Sequence, residues 1–148
     1  MKIKLMVSEE NYSRISKELM EKGIEIDDSA ELILSEKNVY AKRLIGKQDG
    51  DIFRLNTNEI SHIESFAHDI IAHCGGEEYK LTERLRRLEE ILDPGEFIRV
   101  SNSVIVSAEH IKSIRPSLSQ KFLLTMSDGS KVDVTRTYYY IFKEFMGI

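Results

Sequence analysis

The chain has one cysteine, two prolines, no tryptophan and no long apolar run. The lone Cys74 excludes an intramolecular disulfide framework and fits a reducing compartment. No apolar stretch approaches the roughly 18 residues that a spanning helix needs, so no membrane insertion is expected. Met1 to Val7 is too short, and too soon followed by Glu9-Glu10, to be a signal peptide, and a cytoplasmic location is expected. Gly-x-Ser-x-Gly, P-loop and dinucleotide fingerprints are missing, which leaves little basis for an enzyme or for a cofactor. His62, His68, His73, Cys74 and His110 lack the close, fixed spacing of zinc ligands. His73 and Cys74 are strand neighbours that point to opposite faces, so no metal site is expected.

What is present fits one good core, or one domain with a small appendage: 148 residues, 41% apolar and 31% charged. The net charge of −4 opposes nucleic-acid binding when taken as a sum, because phosphate needs local positive charge. The distribution is different. From Phe97 onward, Arg99, Lys112, Arg115, Lys121, Lys131, Arg136 and Lys143 face four acids, Glu109, Asp128, Asp133 and Glu144, a local charge of +3. A basic face on an acidic chain is thus allowed.

Lys2 to Val7 alternates and reads as a half-buried strand. Ser8 reads as a helix N-cap, with Glu9 and Glu10 at the positive end of the dipole and Gly23 as the stop. Leu32-Ile33-Leu34 and Val39-Tyr40-Ala41 read as short strands. The first 48 residues thus form a β-α-β-β segment, and Gln48-Asp49-Gly50-Asp51 is read as a boundary. Residues 49–148 follow as a second domain. Strands are predicted over Ile52–Leu55, Ile60–Phe66, Asp69–Cys74 and Glu78–Leu81, with Gly75-Gly76 a hairpin turn. Thr82 should cap a helix facing Leu85, Leu88 and Leu92 inward, ended by Asp93-Pro94-Gly95. Further strands cover Val104–Val106, Ile111–Ile114, Phe122–Met126 and Lys131–Val134, with Ser127–Ser130 a turn. A last helix begins near Thr135 and buries some of Tyr138, Ile141, Phe142 and Phe145. Core packing with a polar tip is the expectation for Tyr138-Tyr139-Tyr140, since consecutive helix positions cannot all face one way.

The segment from Phe97 to Ile111 places Arg99 and the small polar triplet Ser101-Asn102-Ser103 between two apolar strand pieces. That composition suits reading a surface more than filling a core. Taken in order, the pattern is a helix, Phe-x-Arg-Val-x-x-Ser-x-Ile-Val, Ile-x-x-Ile, a strand, an Asp-Gly turn, then Val-Thr-Arg-x-Tyr. It resembles the LytTR DNA-binding domain over about Asp49 to Ile148. The resemblance implies an α+β, β-rich fold of short, mainly antiparallel strands with two helices. It also implies DNA binding through loops instead of a recognition helix.

Carried over, the implied base contacts fall on His68, Asn102 and Arg136. Arginine suits guanine, asparagine suits adenine, and one bidentate pair is worth about 1–3 kcal/mol of discrimination. Arg99, Ser101, Ser103, Lys112, Arg115, Lys121 and Lys131 are candidates for backbone contacts, which position without specifying. The chain departs from the family pattern at Ser101-Asn102, at Val106-Ser107-Ala108 and at Thr135, and this bears on the target sequence. The function implied is a bacterial-type transcription regulator binding double-stranded promoter repeats, with loops in successive major grooves and a bent duplex. About 48 N-terminal residues do not make a phosphoacceptor receiver domain. A homodimer and a membrane-bound regulatory partner are the expected controls. The alternative is a protein-interaction or ligand-sensing module on the same scaffold with DNA binding lost.

Overall fold

The computed structural model of the chain describes residues 1–37 and 39–148. It divides into two compact units, Met1–Ala41 and Lys42–Ile148. The division falls seven residues before the expected boundary after residue 48, and the reason lies in β4 below.

In the first unit β1 (Lys2–Met6) is the middle strand of a three-stranded sheet. It pairs in parallel with β2 (Glu25–Ile26) and β3 (Ile33–Ser35), and α1 (Glu9–Glu21) is the crossover. Ile3, Leu5 and Met6 are the buried positions of β1. Ser8 stands at the N-cap, but its hydroxyl makes no bond to the helix. Instead Glu36 takes the place: its Oε1 accepts from the Ser8 N–H (3.3 Å), the Ser8 hydroxyl (3.2 Å) and Asn11 Nδ2 (2.9 Å). A carboxylate at this end of the dipole is favourable. The Asn11 bond, ahead of the Ser8 bonds, holds the Glu36 carboxyl below its ordinary range against the cost of desolvation. Gly23, at φ 78°, closes the helix through its N–H to the Met20 carbonyl. The expected strand at 39–41 is absent. Val39 N–H bonds the Glu36 carbonyl at 3.3 Å, and residues 39–41 lie in no strand.

The second unit has a seven-stranded sheet ordered β5-β4-β8-β7-β6-β10-β9 and a three-stranded sheet β11-β12-β13. The strands are β4 (Arg43–Gln48), β5 (Asp51–Asn56), β6 (Ile60–Phe66), β7 (Asp69–Cys74), β8 (Glu77–Leu81), β9 (Phe97–Ser101), β10 (Val104–Ser107), β11 (Ile111–Ser117), β12 (Lys121–Met126) and β13 (Lys131–Val134). Every pairing in the two sheets is antiparallel. Asp49-Gly50 is therefore a turn, as expected, but a hairpin turn inside the second unit and not its boundary: both residues sit at positive φ, 50° and 83°, and β4 pairs with β5 along its whole length. Asp-Gly is a preferred pair for this left-handed two-residue turn. Gly46 in β4 is required for space, since a Cβ there would lie 2.7 Å from Leu55 Cδ1 and 2.8 Å from Tyr79 Cβ.

Helix α2 (Leu85–Ile91) lies against β6, β9 and β10 and buries Leu85, Leu88 and Ile91. Its N-cap is Arg84, not Thr82, because Thr82 stands outside the first turn. Helix α3 (Tyr139–Met146), entered through a 3-10 turn at Arg136–Tyr138, seals the other core. Phe142 is fully buried among Ile98, Val100, Val106, Phe122, Leu124, Met126, Val132 and Val134. Each such side chain stabilises by about 1.5–3 kcal/mol. Tyr139 stacks on Phe122 at 4.8 Å. This core welds the small sheet to β9 and β10, and so fixes how the loops at their ends are placed.

Candidate nucleic-acid interface

Strand pairing brings four turns of the second unit to one end. The β6–β7 turn is Ala67-His68 and the β9–β10 turn is Asn102-Ser103. They adjoin because Ser65 N–H bonds the Ser103 carbonyl at 2.8 Å. The β13–α3 junction joins them through Thr135 N–H to the Val100 carbonyl at 3.0 Å. The β11–β12 turn, Leu118–Gln120, comes in because β12 begins beside the end of β13, with Phe122 opposite Val134. His68, Asn102 and Arg136 are thus at the same end, each exposed.

Each is held differently. Ala67 and His68 both adopt positive φ, 50° and 70°, without glycine. That conformation costs a non-glycine residue about 1–2 kcal/mol, and strain of this kind clusters where function imposes it. The turn is gripped from outside by Arg84 Nη1, which donates to the His68 carbonyl at 3.5 Å. In the next turn Ser101 Oγ accepts the Ser103 N–H at 3.2 Å. Arg99 Nε donates to the Ser101 carbonyl at 3.0 Å, its Nη2 to the Asn102 carbonyl, and its Nη1 to Glu89 at 2.9 Å. Tyr138 donates to Asn102 Oδ1 at 3.4 Å. Among the described residues Arg136 bonds through Nε alone, to the Ser119 carbonyl at 3.4 Å, and the residue is exposed, so its two Nη groups are left open to a ligand.

The backbone-contact candidates separate on this map. Arg115 and Lys121 are exposed on the strands that lead into the β11–β12 turn, and Ser103 is exposed in its own turn. Lys112 and Lys131 lie at the far end, beside His110 and the Asp128-Gly129 turn, and Lys131 Nζ donates to Thr125 Oγ1 at 2.7 Å. Ser101 is buried and bonded within its turn. Arg99, whose side chain is 20% exposed, is taken up by the turn and Glu89. Composition gave no sign of the supporting residues Arg84, Glu89, Ser119 and Tyr138. Their role depends on the angles at which turns meet.

The far end contains the described histidines other than His68. His110 Nε2 donates to the Asn58 carbonyl at 2.7 Å and its Nδ1 meets Ser127 Oγ at 2.8 Å, which ties the 3-10 turn at Thr57–Glu59, just before β6, to the β12–β13 turn of the small sheet. His62 and His73 stack at 4.0 Å with ring planes 8° apart, and His73 Nε2 bonds Glu64 at 2.7 Å. The three could offer ligand atoms within 4.8 Å of one another. Two parallel imidazoles, however, cannot both aim an in-plane lone pair at one ion without leaving the stack. Burial, then repulsion from His73, lowers the His62 pKa to about 4 and keeps it neutral. Burial also raises the Cys74 thiol, with Glu59 adding to the effect, so it stays a protonated small hydrophobe.

Residues 50–147 match the family model of the LytTr DNA-binding domain. The chain is 28% identical over 123 residues to a transcriptional regulatory protein LytR of Staphylococcus aureus (strain MW2), covering 82% of this chain and 50% of that protein. It is 28% identical over 126 residues to the sensory transduction protein LytT of Bacillus subtilis (strain 168), covering 85% and 43%. The chain thus spans about half the length of these curated relatives. Among solved structures, the LytTr DNA-binding domain of a putative methyl-accepting/DNA response regulator from Bacillus cereus superposes with a TM-score of 0.71. The two share 24% identity over 73% of this chain and 99% of that one. At that identity the superposition bears on the fold, which is the same β-rich arrangement of mainly antiparallel strands.

Proposed function

The chain belongs to the LytTr DNA-binding domain family, and from that premise we propose that it is a sequence-specific regulator of transcription. It reads repeated promoter elements of double-stranded DNA through loops placed in successive major grooves. The observation that carries this reading is the convergence of His68, Asn102 and Arg136, from three separate hairpins or junctions, on one end of the second unit. Arginine with a free donor fork matches guanine O6 and N7, asparagine matches adenine N6 and N7, and histidine serves either a groove edge or a phosphate. A base-reading group must be rigid to discriminate, and each of these is set on a tethered turn. Arg115, Lys121 and Ser103 flank that end and contribute phosphate contacts, which fix register.

The first unit, with its parallel sheet, supplies the dimer contact or the docking point for a membrane-bound regulatory partner. Occupancy of the promoter by a homodimer then recruits or excludes polymerase. The test is selection of bound sequences from a random duplex pool by the whole chain, at fixed low and physiological salt. Enrichment of a spaced repeat is the expected result. No retention of any sequence even at low salt overturns the reading in favour of an interaction module.

A further inference from the structure

We propose that the β11–β12 turn is a fourth reading element, in which Leu118 makes an apolar contact with a thymine methyl group beside the base that Arg136 reads. This rests on the DNA-reading function above. Leu118 is 91% exposed at the tip of the turn, flanked by Ser117, Ser119, Gln120 and Lys121. A single exposed leucine is ordinary on a protein surface, and exposure alone would carry nothing. The turn that presents it is not ordinary.

Ser119 and Gln120 both hold positive φ, 68° and 58°, with no glycine to ease it. Two tethers hold the turn in this form. Arg136 Nε donates to the Ser119 carbonyl at 3.4 Å, and Gln120 Nε2 donates to the Tyr140 hydroxyl at 2.9 Å. The tip is therefore indexed to the same exposed arginine whose Nη groups are left open to a base edge. Leu118 is one residue from that tether. Consecutive Cα atoms are about 3.8 Å apart, and base steps along one strand are about 3.4 Å apart. A base edge engaged by Arg136 thus places Leu118 within one or two base steps of it. The thymine C5-methyl is the apolar group that the major groove offers, and apolar side chains are its natural partners. Lys121, which follows the turn, sits where a phosphate of the same stretch would pass.

The test uses the full chain as wild type, Leu118→Ala, Leu118→Gln and Arg136→Ala, each selecting from the same random duplex pool at the same salt. The wild-type motif should hold a guanine with a thymine one or two positions away. The Leu118 variants should keep the guanine preference and lose the thymine preference, while Arg136→Ala loses the guanine. Replacing that thymine by deoxyuracil should weaken wild-type binding about three- to fivefold, roughly the value of one buried methyl group, and should leave Leu118→Ala unaffected. Leu118 lies outside the core, so the melting temperature of its variants should match the wild type and confirm that they fold. An unchanged thymine preference in both Leu118 variants overturns the proposal. So does a change confined to oligomeric state by sedimentation, which would assign Leu118 to a contact between copies. If the wild type selects a motif and the Leu118 variants select the same one, only this inference falls. If the wild type selects nothing, the DNA-reading function falls and this inference with it.

Discussion

Arg99 and Arg136 put the same side chain to opposite uses at one end of the second unit. Arg99 closes its donors on Ser101, Asn102 and Glu89, so its guanidinium serves as the inner brace of a turn. Among the described residues the Nη groups of Arg136 have no partner. The family resemblance set Arg136 apart as a base contact and Arg99 as a backbone contact, but the residues alone gave no sign that Arg99 is spent on its own turn, because that depends on which carbonyls surround each guanidinium. His62 shows the same limit. Its place in a strand was legible, but its burial against His73 was not. Its pKa of about 4 lies below the ordinary 6.5. Between those values the unfolded chain binds more protons than the folded one, so stability rises with pH through that window. The contribution is complete above about pH 6.5 and is lost as pH falls toward 4, with an upper size of about 3 kcal/mol. Urea denaturation from pH 4 to 7 should show this slope, and His62→Phe should flatten it. An equal slope in both proteins would remove His62 as the cause.

At the scale of elements, turns decide the site. The strands from β5 to β13 were legible because alternating apolar residues and Gly-Gly or Asp-Gly turns mark them. Strand β4 was missed for a physical reason: a polar Asp49-Gly50 turn marks a domain boundary and a hairpin equally well, and the strand before it alternates charges around Gly46. The left-handed turns at Ala67-His68 and Ser119-Gln120 carry no glycine, so nothing in their composition announces them. Ala67→Gly should relieve strain and raise stability by about 0.5–1 kcal/mol. Gly46→Ala should lower it by about 1–3 kcal/mol through overpacking on Leu55 and Tyr79. Chemical denaturation of both variants checks the signs. The β9–β10 turn gives a functional counterpart. If Arg99 braces Asn102, Arg99→Ala should reduce specific affinity while leaving the salt dependence of binding unchanged. A slope lower by about one counterion would instead make Arg99 a phosphate contact.

At the scale of the molecule, the family's β-rich architecture could be read from motif order, while the extent of the second unit could not. Its sheet requires β4, which bridges β5 and β8. A chain trimmed to residues 42–148 should therefore keep a cooperative unfolding transition, and one trimmed to 49–148 should lose it or melt far lower. Equal melting of the two would show that β4 is dispensable. The first unit, by contrast, should matter for oligomeric state or partner response, and its removal should leave base preference intact.

The central claim is that one end of the second unit reads bases. Fluorescence anisotropy with the selected duplex and a scrambled duplex, at one fixed salt, tests it most directly when the wild type is compared with His68→Ala/Asn102→Ala/Arg136→Ala. Wild type should favour the selected duplex by about a thousandfold or more. The triple variant should bind both duplexes at nearly the wild-type nonspecific affinity, with the ratio falling toward one. A triple variant that keeps the wild-type ratio would contradict the account.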